Sequence, residues 1–364
     1  MAKKLSNLFF STVKRAVRMQ RRALKQVGVP AVKKARKTTK KKAVKRVAAR
    51  RAARPTAAKV RVAGKGRWQS FVHTPVRSRI DSLRRLAYSL YFPKGHAVAG
   101  LPLVIMLHGC HQTPDDMAHG TRMNQLADQK GFVVAYPRQA KLIQAMRCWR
   151  WFQPDAGHGL AEADAIADLA CTLVQKYQLN AARVYVSGLS AGASMAGLVG
   201  LRHADIFAAA ALHSGAVIGA SRDAVSGMRT MRQGGVGDPT QFVGPLLNDD
   251  SPFPGLPVMI VHGQRDRVVS VRNAIQLSQQ FSYLNGAAAV KESVLGGGTH
   301  REYVRRDHIK DGRVAVRLCL LKEVGHAWSG GDDTLKFNSK EGPKASVLIW
   351  QFFSMYERDV RQTS

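Results

Sequence analysis

Residues 183–197 read RVYVSGLSAGASMAG, and no other stretch of the chain restricts the fold so narrowly. A short apolar run ends at Gly188, Ser190 and Gly192 follow at alternate positions, and small residues continue at helical spacing. A serine between two such glycines sits on a sharp strand-to-helix turn in a strained backbone conformation. Side chains at the flanking positions would collide with the neighbouring strand or helix. The segment therefore calls for a buried strand, a tight elbow and a helix packed back onto the sheet.

From Trp68 onward, apolar runs of strand length alternate with helix-period segments, the pattern of an α/β fold with a mainly parallel sheet. Residues 67–74 and 85–93 are expected to open as a pair of strands, and LPLVIMLHG (101–109) to be buried on both faces. A helix over 116–130, a strand over 131–137, a helix over 159–178, the strand-elbow-helix at 183–202, and strands over 208–215 and 256–263 follow. A strand near 314–322 and a helix near 343–358 close the sheet. Residues 219–255, rich in Gly, Pro, Asp and Asn, show no clear period and read as long loop or cap material.

Charge divides the chain in two. There are 57 Lys and Arg against 24 Asp and Glu, a net charge of +33, and residues 1–66 hold 23 of the basic residues and no acid. The remaining 364 − 66 = 298 residues are enough for a large hydrophobic core, which excludes a wholly disordered protein. Within the extension, Leu5, Phe9, Val13, Val17 and Leu24 fall at helical spacings among basic residues, a basic amphipathic helix. Beyond Pro30 comes a Lys/Arg/Ala tract too poor in apolar bulk to form a core, so residues 1–66 are expected to be largely disordered when unbound and 67–364 to be the folded domain. Such a polycation gains affinity for any polyanion by releasing counterions; nucleic acid, polyphosphate or a granule surface are the expected partners, a merely solvated tail the alternative.

Four cysteines without CxxC or Cys/His spacing exclude a disulfide-dense scaffold and give no reason to expect a metal or a cofactor. No run reaches membrane-spanning length and the N-terminus lacks the apolar core of a secretory signal, so a cytoplasmic setting, granule- or nucleoid-associated, is expected. Cys171 and Cys319 fall in a helical period and a strand and read as core. Cys110 and Cys148 both fall in segments bordering the expected site, and the sequence leaves a bridge between them open.

A serine hydroxyl needs a histidine to take its proton and a carboxylate to orient that histidine. Asp266 follows the strand LPVMIVHG in the loop HGQRDRVV, and His326 follows the strand RVAVRLCLLKEV in GHAWSGG, which gives the order Ser, acid, His. Both sit where strands end, the edge that carries ligands in open α/β sheets. His108, His213, His262, His300 and His308 lack either that order or that loop context and are expected to be structural or pocket neighbours. A tetrahedral oxyanion needs two N–H donors, expected from Ala191, after the serine, and from Cys110 in the loop that follows the strand at 101–109. Trp149 and Trp151 in CWRWF, with His111, are expected to border the pocket, and Trp328 to buttress the histidine loop; plain packing is the competing reading for the tryptophans.

LPLVIMLHGCHQT (101–113), CWRWF (148–152), RVYVSGLSAGASMA (183–196), HGQRDRVV (262–269), GHAWSGG (325–331) and IWQFF (349–353) together resemble esterases of the polyhydroxybutyrate depolymerase type, grouped with feruloyl and acetylxylan esterases. The resemblance covers about residues 85–358 in the expected order. It implies an α/β-hydrolase fold and cleavage of short-chain hydroxyacyl or other carboxylic esters, with Ser190, Asp266 and His326 as triad and Cys110 at the oxyanion hole. A feruloyl- or acetylxylan-type esterase is the alternative, and a polyanion- or granule-associated binding protein with an inactive hydrolase domain a second. Secreted members of the resembled family make an extracellular setting the alternative compartment. Two departures stand out: Ala193 where a second glycine is common, and GGGTHREYVRRDHIKDGR (296–313), which reads as a hairpin elaboration.

Overall fold

The computed structural model describes residues 64–75, 85–154, 158–247 and 253–359. The extension up to residue 63, with its expected amphipathic helix and disorder, lies outside the described residues. Its last three residues are described: Lys65 N–H donates to Asp128 and Gly66 N–H to the Tyr91 hydroxyl.

The strands are β1 (Arg67–His73), β2 (Leu86–Phe92), β3 (Leu103–Leu107), β4 (Val133–Pro137), β5 (Val184–Leu189), β6 (Ala209–His213), β7 (Val258–Gly263), β8 (Ala289–Leu295), β9 (Tyr303–Lys310) and β10 (Arg313–Leu321). They pair into one sheet of order β1-β2-β4-β3-β5-β6-β7-β10-β9-β8. From β4 to β10 every pair is parallel, while β2 and β1 on one side and β9 and β8 on the other run antiparallel. The parallel block aligns the carboxyl ends of β3, β5, β7 and β10 along one edge. A further pair of two-residue strands, β11 (Trp328–Ser329) and β12 (Asn338–Ser339), holds the loop beyond β10.

The central strands are apolar on both sides because each face is covered. Leu103, Ile105 and Leu107 of β3 join one core with Val184, Val186, Val258 and Ile260, whereas Val104 and Met106 join the other with Tyr185, Met259 and Val261. The first core is covered by α3 (His158–Tyr177), α4 (Ala191–Arg202) and α6 (Val271–Asn285), through residues such as Ile166, Leu198 and Phe281. The second is covered by α1 (Pro114–Thr121), α2 (Met123–Lys130) and α7 (Ala345–Phe353), the last stacking Trp350 on Phe132 and Phe353 on Tyr185. Two-residue alternation on a strand thus divides its side chains between two cores.

Three elements differ from expectation. The helix expected over 116–130 is two helices, because Arg122 adopts a left-handed conformation (φ 56°) and Thr121 turns its hydroxyl back onto the Met117 carbonyl. The stretch 219–255 contains α5 (Ala224–Gln233), started by a capping box between Asp223 and Ser226 and burying fully only Gly227 and Thr230, with Met231 packed against the first core. Residues 296–313 supply β9, antiparallel to both β10 and β8 as a hairpin reading expects, while α6, between β7 and β8, covers the sheet where no helix is expected from the sequence.

Phe353 is buried and stacks face to face on Tyr185 at 4.7 Å. Phe353→Ala should cost about 3–5 kcal/mol, read as a lower urea midpoint at unchanged slope, since it empties a site fixed by β5 that cannot collapse.

Candidate active site

The elbow obeys a close-packing constraint visible in its backbone. Ser190 has φ 57° and ψ −120°, a strained conformation for a residue with a side chain. A Cβ on Gly188 would lie 2.3 Å from the Gly192 carbonyl oxygen, and one on Gly192 would lie 2.2 Å from that of Leu107. Only glycine lets the start of α4 approach the end of β5 at Gly188 and the end of β3 at Gly192 so closely, and this is what sets Ser190 at the junction.

Ser190, His326 and Asp266 meet in one hydrogen-bonded line. His326 Nε2 lies 2.9 Å from Ser190 Oγ, and His326 Nδ1 lies 2.7 Å from Asp266 Oδ2. Asp266 Oδ1 accepts the N–H groups of Val268 and Val269, each at 2.8 Å. Burial opposes its charge, but the His326 charge and hydrogen bond, His262 and the Val269 amide outweigh it and hold the carboxyl below the usual carboxylate range. An ionised Asp266 only accepts, so the His326 proton sits on Nδ1 and Nε2 is left with a lone pair facing the serine hydroxyl.

The expected oxyanion loop packs against the elbow. A Cβ on Gly109 would stand 3.5 Å from Ser190 Cβ. The loop is pinned on both sides of Cys110: Gly109 N–H donates to Gln112 Oε1 at 2.8 Å and His111 N–H to the Met146 carbonyl at 2.7 Å. Among the described residues, neither the Cys110 nor the Ala191 N–H is used in the loop and turn hydrogen bonds around it. Cys110 is bridged to Cys148, with an S–S distance of 2.02 Å, so the question left open by the sequence closes in favour of a disulfide.

His111 is exposed, with a left-handed backbone (φ 67°). Trp149, Trp151 and Trp328 are buried. Trp149 donates its indole N–H to the His108 carbonyl, and Trp328 donates to Ser346 Oγ while stacking on His213, so these two rings brace the loops that carry Cys110 and His326. Packing is thus the reading that fits the tryptophans better.

His108, His213 and His262 hold the site rather than enter the hydrogen-bonded line, while His300 is exposed and His308 lies on β9. His213 and His108 are fully buried, and burial drives their imidazoles down to about 3 and about 4. Neutral His108 accepts the Gln139 N–H on Nε2, and neutral His213 accepts the Ser329 N–H. His262 donates from Nε2 to the Val269 carbonyl, 3.5 Å from Asp266 Oδ2. Gln112 and Gln139 escape sequence reasoning because a glutamine in a motif carries no period; their roles exist only through backbone partners in other loops.

Comparison with known proteins agrees with this architecture. The family model "Esterase PHB depolymerase" matches residues 86–305. A poly(3-hydroxyalkanoate) depolymerase C from Paucimonas lemoignei is 29% identical over 63% of this chain and 55% of its own length, and a feruloyl esterase B from Neurospora crassa is 29% identical over 50% and 65%. The chain thus spans little more than half the length of the first of these relatives. The solved acetyl xylan esterase from Aspergillus awamori superposes with a TM-score of 0.58 at 20% identity, covering 71% of this chain and 94% of that one, a likeness in fold.

Two expected outcomes follow from the site. Folded His213 and His108 stay neutral while the unfolded chain protonates near 6.5, so their contribution is complete above that value and is lost as pH falls toward 4 and then 3. The thermal midpoint of the wild type should lose ground to that of a His213→Asn variant, which lacks this linkage, as pH falls from 7 to 4, and a constant difference between the two would contradict the buried, neutral state of His213. The disulfide closes a loop of sequence separation 38, so reduction, or the double change Cys110→Ala with Cys148→Ala, should cost about 2–4 kcal/mol in a denaturant titration. With the family model matching most of the described domain and the α/β-hydrolase fold in place, the chain belongs to the PHB depolymerase esterase family.

Proposed function

We propose that the protein is a serine carboxylic-ester hydrolase working through Ser190, His326 and Asp266. The observation that carries this is the unbroken hydrogen-bonded line from Ser190 Oγ through both His326 nitrogens to a buried carboxylate. His326 Nε2 takes the serine proton as Oγ bonds to the ester carbonyl carbon, and the carbonyl electrons move onto oxygen. The Cys110 and Ala191 N–H groups receive that oxyanion. Collapse expels the alcohol, which takes the proton from His326 and leaves an acyl-serine. A water then gives its proton to His326 and adds to the acyl carbon, and collapse returns the proton to Ser190 and releases the acid.

The relatives are named for polyhydroxyalkanoate and feruloyl ester substrates, and the structural neighbour for acetyl xylan. Short hydroxyacyl esters are the favoured substrates, on the first of these relatives and the family match, with feruloyl or acetylxylan esters as the second reading. The Cys110–Cys148 bridge favours an oxidising compartment over the cytoplasm. Residues 1–66, with 23 basic residues and no acid, are assigned to contact with a polyanionic surface.

The test is hydrolysis of p-nitrophenyl esters from acetate to octanoate by the wild type and Ser190→Ala. Turnover should be highest at short acyl chains and fall by at least about 10⁴-fold in the variant, at unchanged thermal midpoint. A folded wild type without turnover on any of them would sink the esterase reading.

A further inference from the structure

A buried carboxylate stands behind the oxyanion loop, outside the hydrogen-bonded line at Ser190. Glu162, on α3, is 1% exposed and lines a cavity of about 190 Å³ together with Arg138, Gln139 and Trp149. Its Oε1 accepts the Gln139 side-chain N–H at 2.6 Å and its Oε2 accepts the Arg150 backbone N–H at 2.7 Å. Both partners are donors, so the ionised form, which only accepts, satisfies both.

Each of these partners leads directly to the loop that carries Cys110. Gln139 backbone N–H donates to His108 Nε2, and its side chain also donates to the Cys148 carbonyl at 3.3 Å. Cys148 is covalently bound to Cys110. Trp149, between Cys148 and the Arg150 amide held by Glu162, donates to the His108 carbonyl. Glu162 therefore fastens the segment 148–150 from below, and that segment fastens residues 108–110 at three points: the bridge, the indole and, through Gln139, the imidazole.

We propose that ionised Glu162 is a positioning residue for this esterase: it holds the Cys148-Trp149-Arg150 segment, and through it the Cys110 N–H, at the distance an oxyanion requires. The proposal rests on the reading of Cys110 as an oxyanion donor. Protonating Glu162 weakens the two charge-assisted bonds and loosens the segment, so the rate should answer to its charge as well as to that of His326. Burial pushes this carboxyl up to about 7, against the opposing pull of the Arg150 amide, Gln139 and the Arg150 guanidinium. The groups that face it are Arg150, whose Nε lies 3.9 Å away, Arg138 and Arg85 on the wall of the cavity, His108 beyond Gln139, and His158 at the start of its own helix. Among these, His108 stays neutral down to about 4, and burial and Arg150 both lower His158.

The linkage runs opposite to that of a salt-bridged acid. The folded state keeps the proton on Glu162 to higher pH than the unfolded chain, so its contribution to stability is full below the ordinary value of 4.5 and is lost as pH rises through about 7. Function and stability thus pull this residue in opposite directions.

The experiment compares kcat/KM for p-nitrophenyl butyrate from pH 5 to 9, and the thermal midpoint over the same range, for the wild type, Glu162→Gln and Glu162→Asp. The wild-type acidic limb should lose activity with two protons, one at the Ser190–His326–Asp266 line and one at Glu162. Glu162→Gln should reduce the plateau about 10- to 100-fold, chiefly in kcat, and leave a one-proton limb. Its thermal midpoint should gain on that of the wild type as pH rises from 5 to 8, which reports the raised titration of Glu162, whereas the proton missing from its pH–rate limb is what a residue serving stability alone would not produce. Glu162→Asp, still ionisable, should keep the two-proton limb at a plateau lowered several-fold. A Glu162→Gln limb and plateau equal to the wild type, or a Glu162→Asp plateau equal to it if Glu162→Gln does not fold, overturns the proposal and leaves the esterase reading standing. A wild type inactive on every ester overturns both.

Discussion

The whole site hangs on one close approach of backbone to backbone. The first turn of α4 comes so near the end of β3 that a Cβ on Gly192 would stand 2.2 Å from the Leu107 carbonyl oxygen, and it folds back on β5 so tightly that one on Gly188 would stand 2.3 Å from the Gly192 carbonyl oxygen. The contact forces Ser190 into its strained dihedrals and brings the loop after β3 within van der Waals reach of the serine. Strain of this kind costs on the order of 1–3 kcal/mol and persists only where the surroundings over-determine it. Here they do: β5 is central in the sheet, with parallel neighbours on both sides and a covered core on each face.

Much of this was legible in the sequence because it depends on period and chain order. The runs at 101–109, 183–188 and 256–263 are apolar on both sides, and the structure makes them β3, β5 and β7. Once those strands are parallel, Ser190, Asp266 and His326 must fall on one edge, and the spacing of loop to strand brings them together. What the sequence hides is whatever replaces an apolar stripe with amides. The helix α6 escapes because Asn273, Gln276, Gln280 and Asn285 occupy much of its buried face. These side chains are fully engaged: Asn273 takes the Val217 N–H, Gln276 pairs with both backbone groups of Gly235, Gln280 donates to the Ile218 and Pro239 carbonyls, and Asn285 pairs with both groups of Leu256. In this way α6 stands in for secondary structure in the loops after β6, giving their backbone the partners a sheet would otherwise supply.

The same logic explains the neutral histidines and the glutamines around the serine. A site at the end of a parallel sheet is surrounded by loops, and buried loops must find partners for every amide and carbonyl. His108, His213, Gln112 and Gln139 each supply one from a side chain. Motif reading assigns such residues poorly, because their chemistry is to fill a vacancy in another segment's hydrogen bonding. It also explains the burial of two aromatic rings near the site: Trp149 and Trp328 each spend an indole N–H on a neighbouring segment, which requires burial rather than display.

The sheet ends in β8, the most exposed strand among those described, which carries Lys291 and Glu292 at its centre. Glu292 reaches back across the ladder to Arg306 on β9, so the rim is tied inward by charge. Two strands separate this rim from β7, whose following loop holds Asp266, and one separates it from β10, which leads to His326. Fraying at the border can therefore be absorbed by the antiparallel hairpin before it reaches the parallel block. The outer strands act as a mechanical fuse: wear collects where the ladder is antiparallel, local and quickly remade, while the crossovers that would be slow to re-form stay closed.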